Sequence, residues 1–448
     1  MIPLSIVLFA CSGPGESPAP AQAATPSCSG CNVVWITMDT TRADRMGFLG
    51  STAKLTPNLD KLAAKGTAWA HAYSQAPETS LSVSSFFAGR YRHNLGMDFY
   101  VIEADRTHAM APSVTTVAEV LKGQGYRATG FTANPLISKS FNLDLHQGFD
   151  GWNSTDDPGL VTNGIRVWDE ATKAKKPLFL YLQWFGPHTD NERQPGFEDR
   201  RGTFTTQLTT ITEKTYQDAN HGRLALTDQD LAYIRAMYDD GIWAMDAQIG
   251  QLLDHIQRSP EATKTIFVIT ADHGEGLNNP GSPNWLGHEK YLGDELLRVP
   301  LLIVAPGVQA GTVNQERVAE LVDLAPTITG LLGLKQAPEW EWDGESLFGA
   351  DPKLAAISER GKWEEREVSA RTPEASLIKA PVSGDIKRYD LKKDPHQASP
   401  VAGGGAWDAL QARIDGYLGA IHAPKDNPAP VAGTDQTDAM LKSLGYKE

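Results

Sequence analysis

The chain has 448 residues, 41% hydrophobic and 21% charged, globular proportions that exclude a disordered, coiled-coil or collagen-like polypeptide. Its formal charge of −14 repels a phosphate backbone and no basic stripe offsets it, so no nucleic-acid partner is expected. No run of ~18 apolar residues occurs, so no transmembrane helix is expected, and the length accommodates two or three folding units at ~150 residues each.

Residues 1–10 (MIPLSIVLFA) form a short apolar stretch, and Leu8-Phe9-Ala10-Cys11 resembles the lipobox of a bacterial lipoprotein signal peptide. Cys11 is then the expected lipidated residue, with Ser12 to Thr25 a flexible tether. This reading places the protein at the cell envelope, as an outer-membrane or periplasmic lipoprotein held to the membrane through Cys11. Cys28 and Cys31 form a CxxC that lacks the second pair of a metal knuckle and the helix start of a redox site. A local disulfide and two free thiols both remain open.

Asn32 to Met38 (NVVWITM) has the apolar continuity of a strand buried on both faces of a parallel sheet. Thr56-Pro57 starts a helix through Ala64, with Gly66 as its stop. Further strands are expected at Arg127 to Thr132, Pro177 to Trp184, Thr265 to Thr270 and Val299 to Ala305. Helical patterns fall at Thr115 to Gln124, Asn163 to Ala174, Leu226 to Arg258 and Val318 to Leu332. Alternating strands and helices predict an α/β fold with a mostly parallel central sheet flanked by helices. After Gly349 the segments are shorter and more polar, which predicts a small C-terminal α+β subdomain of antiparallel strands with a helix around Ala406 to Ile421. The expected divisions are a signal and linker over 1–31, a catalytic domain over 32–349, the subdomain over 350–425 and a tail over 426–448.

In such sheets ligands bind beyond the carboxyl ends of the strands. Three strand ends carry chemistry there: Asp39-Thr40, Pro187-His188 and Asp272-His273, with His288 further on. Converging carboxylates and imidazoles have the makings of a divalent metal site, although a single Asp at a strand end more commonly caps the next helix. Thr79, in PETSLSVSSFFAG, stands near the N-terminus of a short helix, where free N–H groups favour an anion. Taken alone it reads first as that helix's N-cap, because a threonine hydroxyl is a weak nucleophile unless activated.

The stretches NVVWITMDTTRADRMG, TPNLDKLAAKGTAWAHAYSQAPETS, AEVLKGQGYRATGF, PLFLYLQWFGPH, VITADHGEGL, GHEKYLGDELLRVPLLIVAPG and LVDLAPTITGLLGL stand in the order found in the sulfatase family of the alkaline phosphatase superfamily. The chain resembles that family over nearly its whole length. The resemblance implies an alkaline-phosphatase-like sandwich and one divalent ion (Ca, Mn or Zn) held by Asp39, Thr79, Asp272 and His273. It further implies Thr79 as nucleophile, with His188 and His288 contacting the substrate or moving protons.

Where many sulfatases carry the C/SxPxR motif that yields formylglycine, this chain has Thr79, Leu81 and Val83, and Thr40 replaces a second aspartate. The resemblance is closer to a threonine branch that includes phosphodiesterases and phospho-alcohol transferases. With Val83 in place of a cation, Asn134, Lys290 or Arg42 is expected to substitute, Asn134 and Lys290 as substrate-binding groups; Asn134 also reads as a turn residue before Pro135. Asp246 is expected on a solvated or helix-packing face, away from the metal. The expected function is metal-dependent cleavage of a sulfate or phosphate ester of a small molecule, glycan or lipid through a covalent Thr79 intermediate. The alternatives are a phospho-alcohol transferase and a catalytically degenerate anion-binding lipoprotein.

Overall fold

The computed structural model describes residues 26–97, 109–188, 193–350, 352–361 and 365–420. Cys11 with its expected lipid and the 426–448 tail lie outside the described residues. No helix among the described residues is long and apolar enough to cross a membrane.

In chain order the first strands are β1 (Asn32–Met38), β2 (Thr67–Tyr73), β3 (Arg127–Thr132), β4 (Gly151–Ser154), β5 (Leu178–Trp184) and β6 (Thr265–Thr270). A short ribbon of β7 (Gly276–Leu277) and β8 (Leu286–Gly287) follows, then β9 (Leu301–Val304) and β10 (Thr312–Glu320). Eight of them form one sheet in the order β10-β2-β9-β6-β1-β5-β3-β4. Every pairing is parallel except those of β9, which runs antiparallel to β2 and β6.

The helices of this layer are α1 (Pro57–Ala63), α2 (Thr79–Ala88), α3 (Val117–Gly123), α4 (Asp157–Ala174), α5 (Phe197–Arg201), α6 (Glu213–Asn220), α7 (Asp228–Gln257), α8 (Asp294–Leu297) and α9 (Leu324–Leu331). They cover both sheet faces, as strand alternation demands. Tyr181 of β5 meets Phe87 of α2 at 4.7 Å between ring centroids. The next residue, Leu182, points the other way, towards Gly164 of α4, where an added Cβ would lie 3.3 Å from its Cδ1.

A second, antiparallel sheet of β11 (Ala356–Arg360), β12 (Glu367–Arg371), β13 (Ala375–Lys379) and β14 (Ile386–Asp390) packs against α10 (Asp408–Gly419). Buried polar contacts tie it to the main layer. Lys353 pairs with Glu320 and Asp323 at 2.7 and 2.6 Å, and Glu320 also accepts from the Tyr91 hydroxyl and the Ile357 amide. Ser358 Oγ donates to Ser74 O at 2.5 Å and the Glu359 amide to Gln75 O at 2.9 Å. The small sheet therefore fixes the backbone that leads into Thr79.

The α/β architecture expected from the sequence is present. Some elements differ. Val318 to Glu320 belongs to β10 because it pairs with His71 to Tyr73, so the helix expected from Val318 starts only at Leu324. Helix α4 begins at Asp157, with Asp156 capping it, rather than at Asn163. Strands β2, β4 and β10 have too much alanine, glycine or charge for a propensity reading and form through pairing with their neighbours. Cys28 and Cys31 are joined as a disulfide.

Candidate active site

Register brings the site together. Thr37 of β1 is level with Gln183 of β5 on one side and Thr270 of β6 on the other, while Thr132 of β3 is level with Gln183. The residues just past these ends, Asp39, Asp272 and Asn134, therefore share one edge of the sheet. Helix α2 arrives at the same edge. Its Ser82 Oγ donates to Asp272 O at 2.6 Å and accepts from Ser74 Oγ at 2.9 Å, which fixes the first turn beside β6. The cap of α2 is Glu78, whose carboxylate accepts from the Leu81 amide at 2.9 Å, and not Thr79. Thr79 is the first helical residue, its hydroxyl free to face the strand ends.

Asp39, Asp272 and His273 are fully buried and offer ligand atoms that all lie within 4.8 Å of one another. Asp272 Oδ1 accepts from the amides of Thr40 (3.2 Å) and His273 (2.8 Å). His273 Nδ1 faces Gly274 O at 2.9 Å and so carries the hydrogen, which leaves the Nε2 lone pair towards Thr79 Oγ1, 3.3 Å away. Burial raises the pKa of Asp39 and Asp272, the charge of Asp272 raises Asp39 further, and burial with His288 nearby lowers His273 to about 4. Asp39 Oδ1 is buried without a hydrogen-bond partner. Two converging carboxylates, a neutral imidazole and an orphaned oxygen suit a divalent cation with mixed oxygen and nitrogen ligands. They fit the expected divalent ion at Asp39, Asp272 and His273.

Asn134 is the turn residue expected before Pro135, and its side chain also reaches the strand-end cluster. Its Oδ1 accepts from the Leu136 amide at 2.8 Å, as a turn residue does, while its Nδ2 donates to Asp39 Oδ2 and to Thr79 Oγ1, the latter at 3.4 Å. His288 lies 4.5 Å from the His273 ring and 5.4 Å from the His188 ring, and His188 stacks on Phe185 at 4.3 Å. His288 Nδ1 is 3.2 Å from Glu275 Oε1; burial lowers His288 to about 4 and raises Glu275 to about 8.

Other expected residues lie elsewhere. Lys290 is exposed on the wall of a cleft outside His288. Arg42 is engaged by Asp44 at 2.7 Å, by Glu275 O and by Asn279, so it does not substitute for a cation beside Thr79. Val83 packs in the apolar core one turn beyond Thr79. Asp246 is buried rather than solvated: it accepts from the amides of Asn58 (3.0 Å) and Leu59 (2.9 Å) and so caps α1 from α7.

Two site residues escaped the sequence reading. Gln183 Nε2 donates to Asp39 Oδ2 at 2.9 Å and to Asp272 Oδ2 at 3.2 Å, while its Oε1 accepts from Tyr181 OH at 2.5 Å. The signal was an amide inside the otherwise apolar PLFLYLQW, which must find partners once buried. Glu275 stood inside the DHGEG stretch without a role.

The chain is similar to known proteins in sequence and in fold. The chain is 25% identical to mouse N-acetylgalactosamine-6-sulfatase over 354 residues, 71% of this chain and 65% of that one, so it spans slightly under two thirds of that relative. It is 24% identical to an ulvan-active sulfatase of Formosa agariphila over 446 residues, 86% of this chain and 80% of the relative. The fold superposes on the structure of a 2-O GAG sulfatase with a TM-score of 0.71 at 18% identity, covering 90% of this chain and 98% of the other. The model of the Sulfatase family matches residues 31–334, a span that holds the whole strand-end cluster, Thr79 and His288, and on that match the chain belongs to the sulfatase family.

Proposed function

We propose that the protein is a sulfuric ester hydrolase in which Thr79 is the nucleophile. The observation that carries this reading is the position of the Thr79 hydroxyl, at a helix N-terminus and within 3.3 to 3.4 Å of His273 Nε2 and Asn134 Nδ2, beside two buried carboxylates. A bound divalent ion supplies charge neutralisation and a lowered hydroxyl pKa. The chain's own groups do the rest. With its pKa so lowered, the Thr79 hydroxyl gives its hydrogen up to solvent as the Oγ1–S bond forms and the bond from sulfur to the leaving oxygen breaks. His288 is placed to return a proton to that oxygen. Glu275, raised to about 8 by burial, faces His288 Nδ1 at 3.2 Å and passes its proton there as Nε2 gives its hydrogen to the leaving oxygen, so that the ring stays neutral. Attack of water on the sulfated threonine then frees sulfate and restores the hydroxyl. Asn134 stands in for the cation that Val83 does not provide. The names of the curated relatives above, an N-acetylgalactosamine-6-sulfatase and an ulvan-active sulfatase, favour sulfate over phosphate.

Thr79→Ala and Thr79→Ser, assayed on 4-nitrophenyl sulfate, phosphate and a phosphodiester, test the assignment. Alanine is expected to lower kcat by at least ~10³-fold, as loss of a covalent nucleophile does, with the fold intact, and serine to retain much of the activity. Wild-type turnover in Thr79→Ala overturns it.

A further inference from the structure

We propose that Asp157 is a positioning residue for the reaction, acting through His188: its carboxylate clamps the turn after β5 and so sets where the His188 ring stands. The inference rests on the ester-hydrolase reading above. Topology brings the two residues together. Strands β4 and β5 both run parallel to β3, so α4, which joins them, runs back the other way and starts at the edge where Asp39, Asp272 and Asn134 emerge. Asp157, its first residue, thereby meets the chain leaving β5.

Two backbone donors converge on that carboxylate. The Phe185 amide donates to Asp157 Oδ1 at 2.8 Å and the Gly186 amide to Oδ2 at 2.9 Å, so both oxygens are engaged by successive residues of one turn. The start of α4 does not depend on them. Its cap is Asp156, whose Oδ1 accepts from the Gly159 amide at 2.9 Å. The side chain of Asp157 therefore serves the turn rather than its own helix, and the helix N-terminus favours its negative charge.

The turn passes its placement on to His188. Gly186 has a φ of +25°, and an added Cβ would lie 2.8 Å from Met245 Sδ, so the chain is pressed against α7 on its other side. The His188 amide donates to Phe185 O at 3.1 Å, and the Phe185 ring stacks on the His188 ring at 4.3 Å. A shift of Phe185 is therefore a shift of His188. The His188 ring in turn meets the His288 ring edge-on at 5.4 Å, beside the group placed to protonate the leaving oxygen. Misplacement by ~1 Å in such a site costs up to ~100-fold in rate.

The test is a double-mutant cycle on the full chain. Asp157→Asn keeps the shape of the side chain but turns an NH2 group against one of the two amides. It is expected to lower kcat/KM on 4-nitrophenyl sulfate ~10 to 100-fold in the native background and less than ~3-fold in His188→Ala. Asp156→Ala weakens the start of α4 without touching the turn and should leave kcat/KM within ~3-fold of native. The His188 ring signals in proton–carbon NMR spectra, identified by their loss in His188→Ala, should shift in Asp157→Asn and stay in place in Asp156→Ala. Equal losses in both backgrounds, a native kcat/KM in Asp157→Asn, or unmoved His188 signals overturn the proposal. Should Asp157→Asn not fold, Asp157→Ser, which keeps a single acceptor, takes its place, and failure of both to fold overturns the proposal as well. Absence of turnover by the native chain on every ester, with the His188 signals displaced in Asp157→Asn, sinks the hydrolase reading and leaves the clamp standing.

Discussion

Gln183 offers a quantitative test of how the site is held. Replacing it with methionine keeps the length of the side chain and removes its polar atoms. Three hydrogen bonds disappear: two from Nε2 to the buried carboxylates of Asp39 and Asp272, at 2.9 and 3.2 Å, and one from Tyr181 OH, at 2.5 Å. A hydrogen bond to a charged group contributes ~1.5 to 3 kcal/mol and a stranded buried hydroxyl costs ~1 to 3 kcal/mol. Asn134 still reaches Asp39, and two amides still reach Asp272 Oδ1, so the low end of each range applies. The expected loss is about 4 kcal/mol, or roughly 8 °C in Tm at ~2 °C per kcal/mol for a chain of this size. That deficit belongs to protein stripped with chelator. Saturation with a divalent cation should roughly halve it, because the carboxylates then need the amide less. Gln183→Glu adds a third carboxylate to a dry pocket and should be worse than methionine without cation. Thermal unfolding followed by circular dichroism, with chelator and then with Ca, Mn or Zn, reads all three. A methionine variant within 2 °C of native in chelator, or a glutamate variant as stable as native, refutes the reasoning.

Glu275→Ala removes the partner of His288 Nδ1 and should lower kcat on a sulfate ester ~10 to 100-fold while the far-ultraviolet spectrum stays native, the size usual for orienting groups; an unchanged kcat contradicts the positioning role. Asp246→Ala strands two buried amides at the start of α1 and should cost about 3 kcal/mol without altering cation affinity; a calorimetric titration showing lost cation binding would move Asp246 into the site. Acid should destabilise the fold through His93, whose pKa is lowered to about 4 by burial beside Arg366 and Arg92 against the pull of Glu359. Because the unfolded chain binds the proton at ~6.5 and the folded one only near 4, stability falls as pH drops across that interval, by up to about 3 kcal/mol. Glu359, itself held below its ordinary value in spite of burial by His93 and Arg366, adds a loss in the same direction at lower pH. Urea unfolding at pH 7 and 4.5 should show a smaller difference in His93→Gln than in the native chain, and an equal difference rejects the assignment.

The sequence by itself determined the layer architecture, because an apolar run such as NVVWITM can be satisfied only between two covered faces, and it marked Asp39, Asp272 and His273 because polar residues that end such runs emerge at one edge. It also placed Thr79 at a helix start. Tertiary structure alone decided what each polar group touches. Gln183 looked like one more strand residue until register set it level with Thr37 and Thr132, between two carboxylates. Arg42, equally charged in either setting, was removed from the site by Asp44 lying two residues away with the right orientation. Asp246 and Glu275 acquired their roles from segments far along the chain, and β10 became a strand only because β2 offered it an edge. Periodicity reports which face of an element is buried; the partner across that face depends on packing between distant segments, which no local pattern encodes.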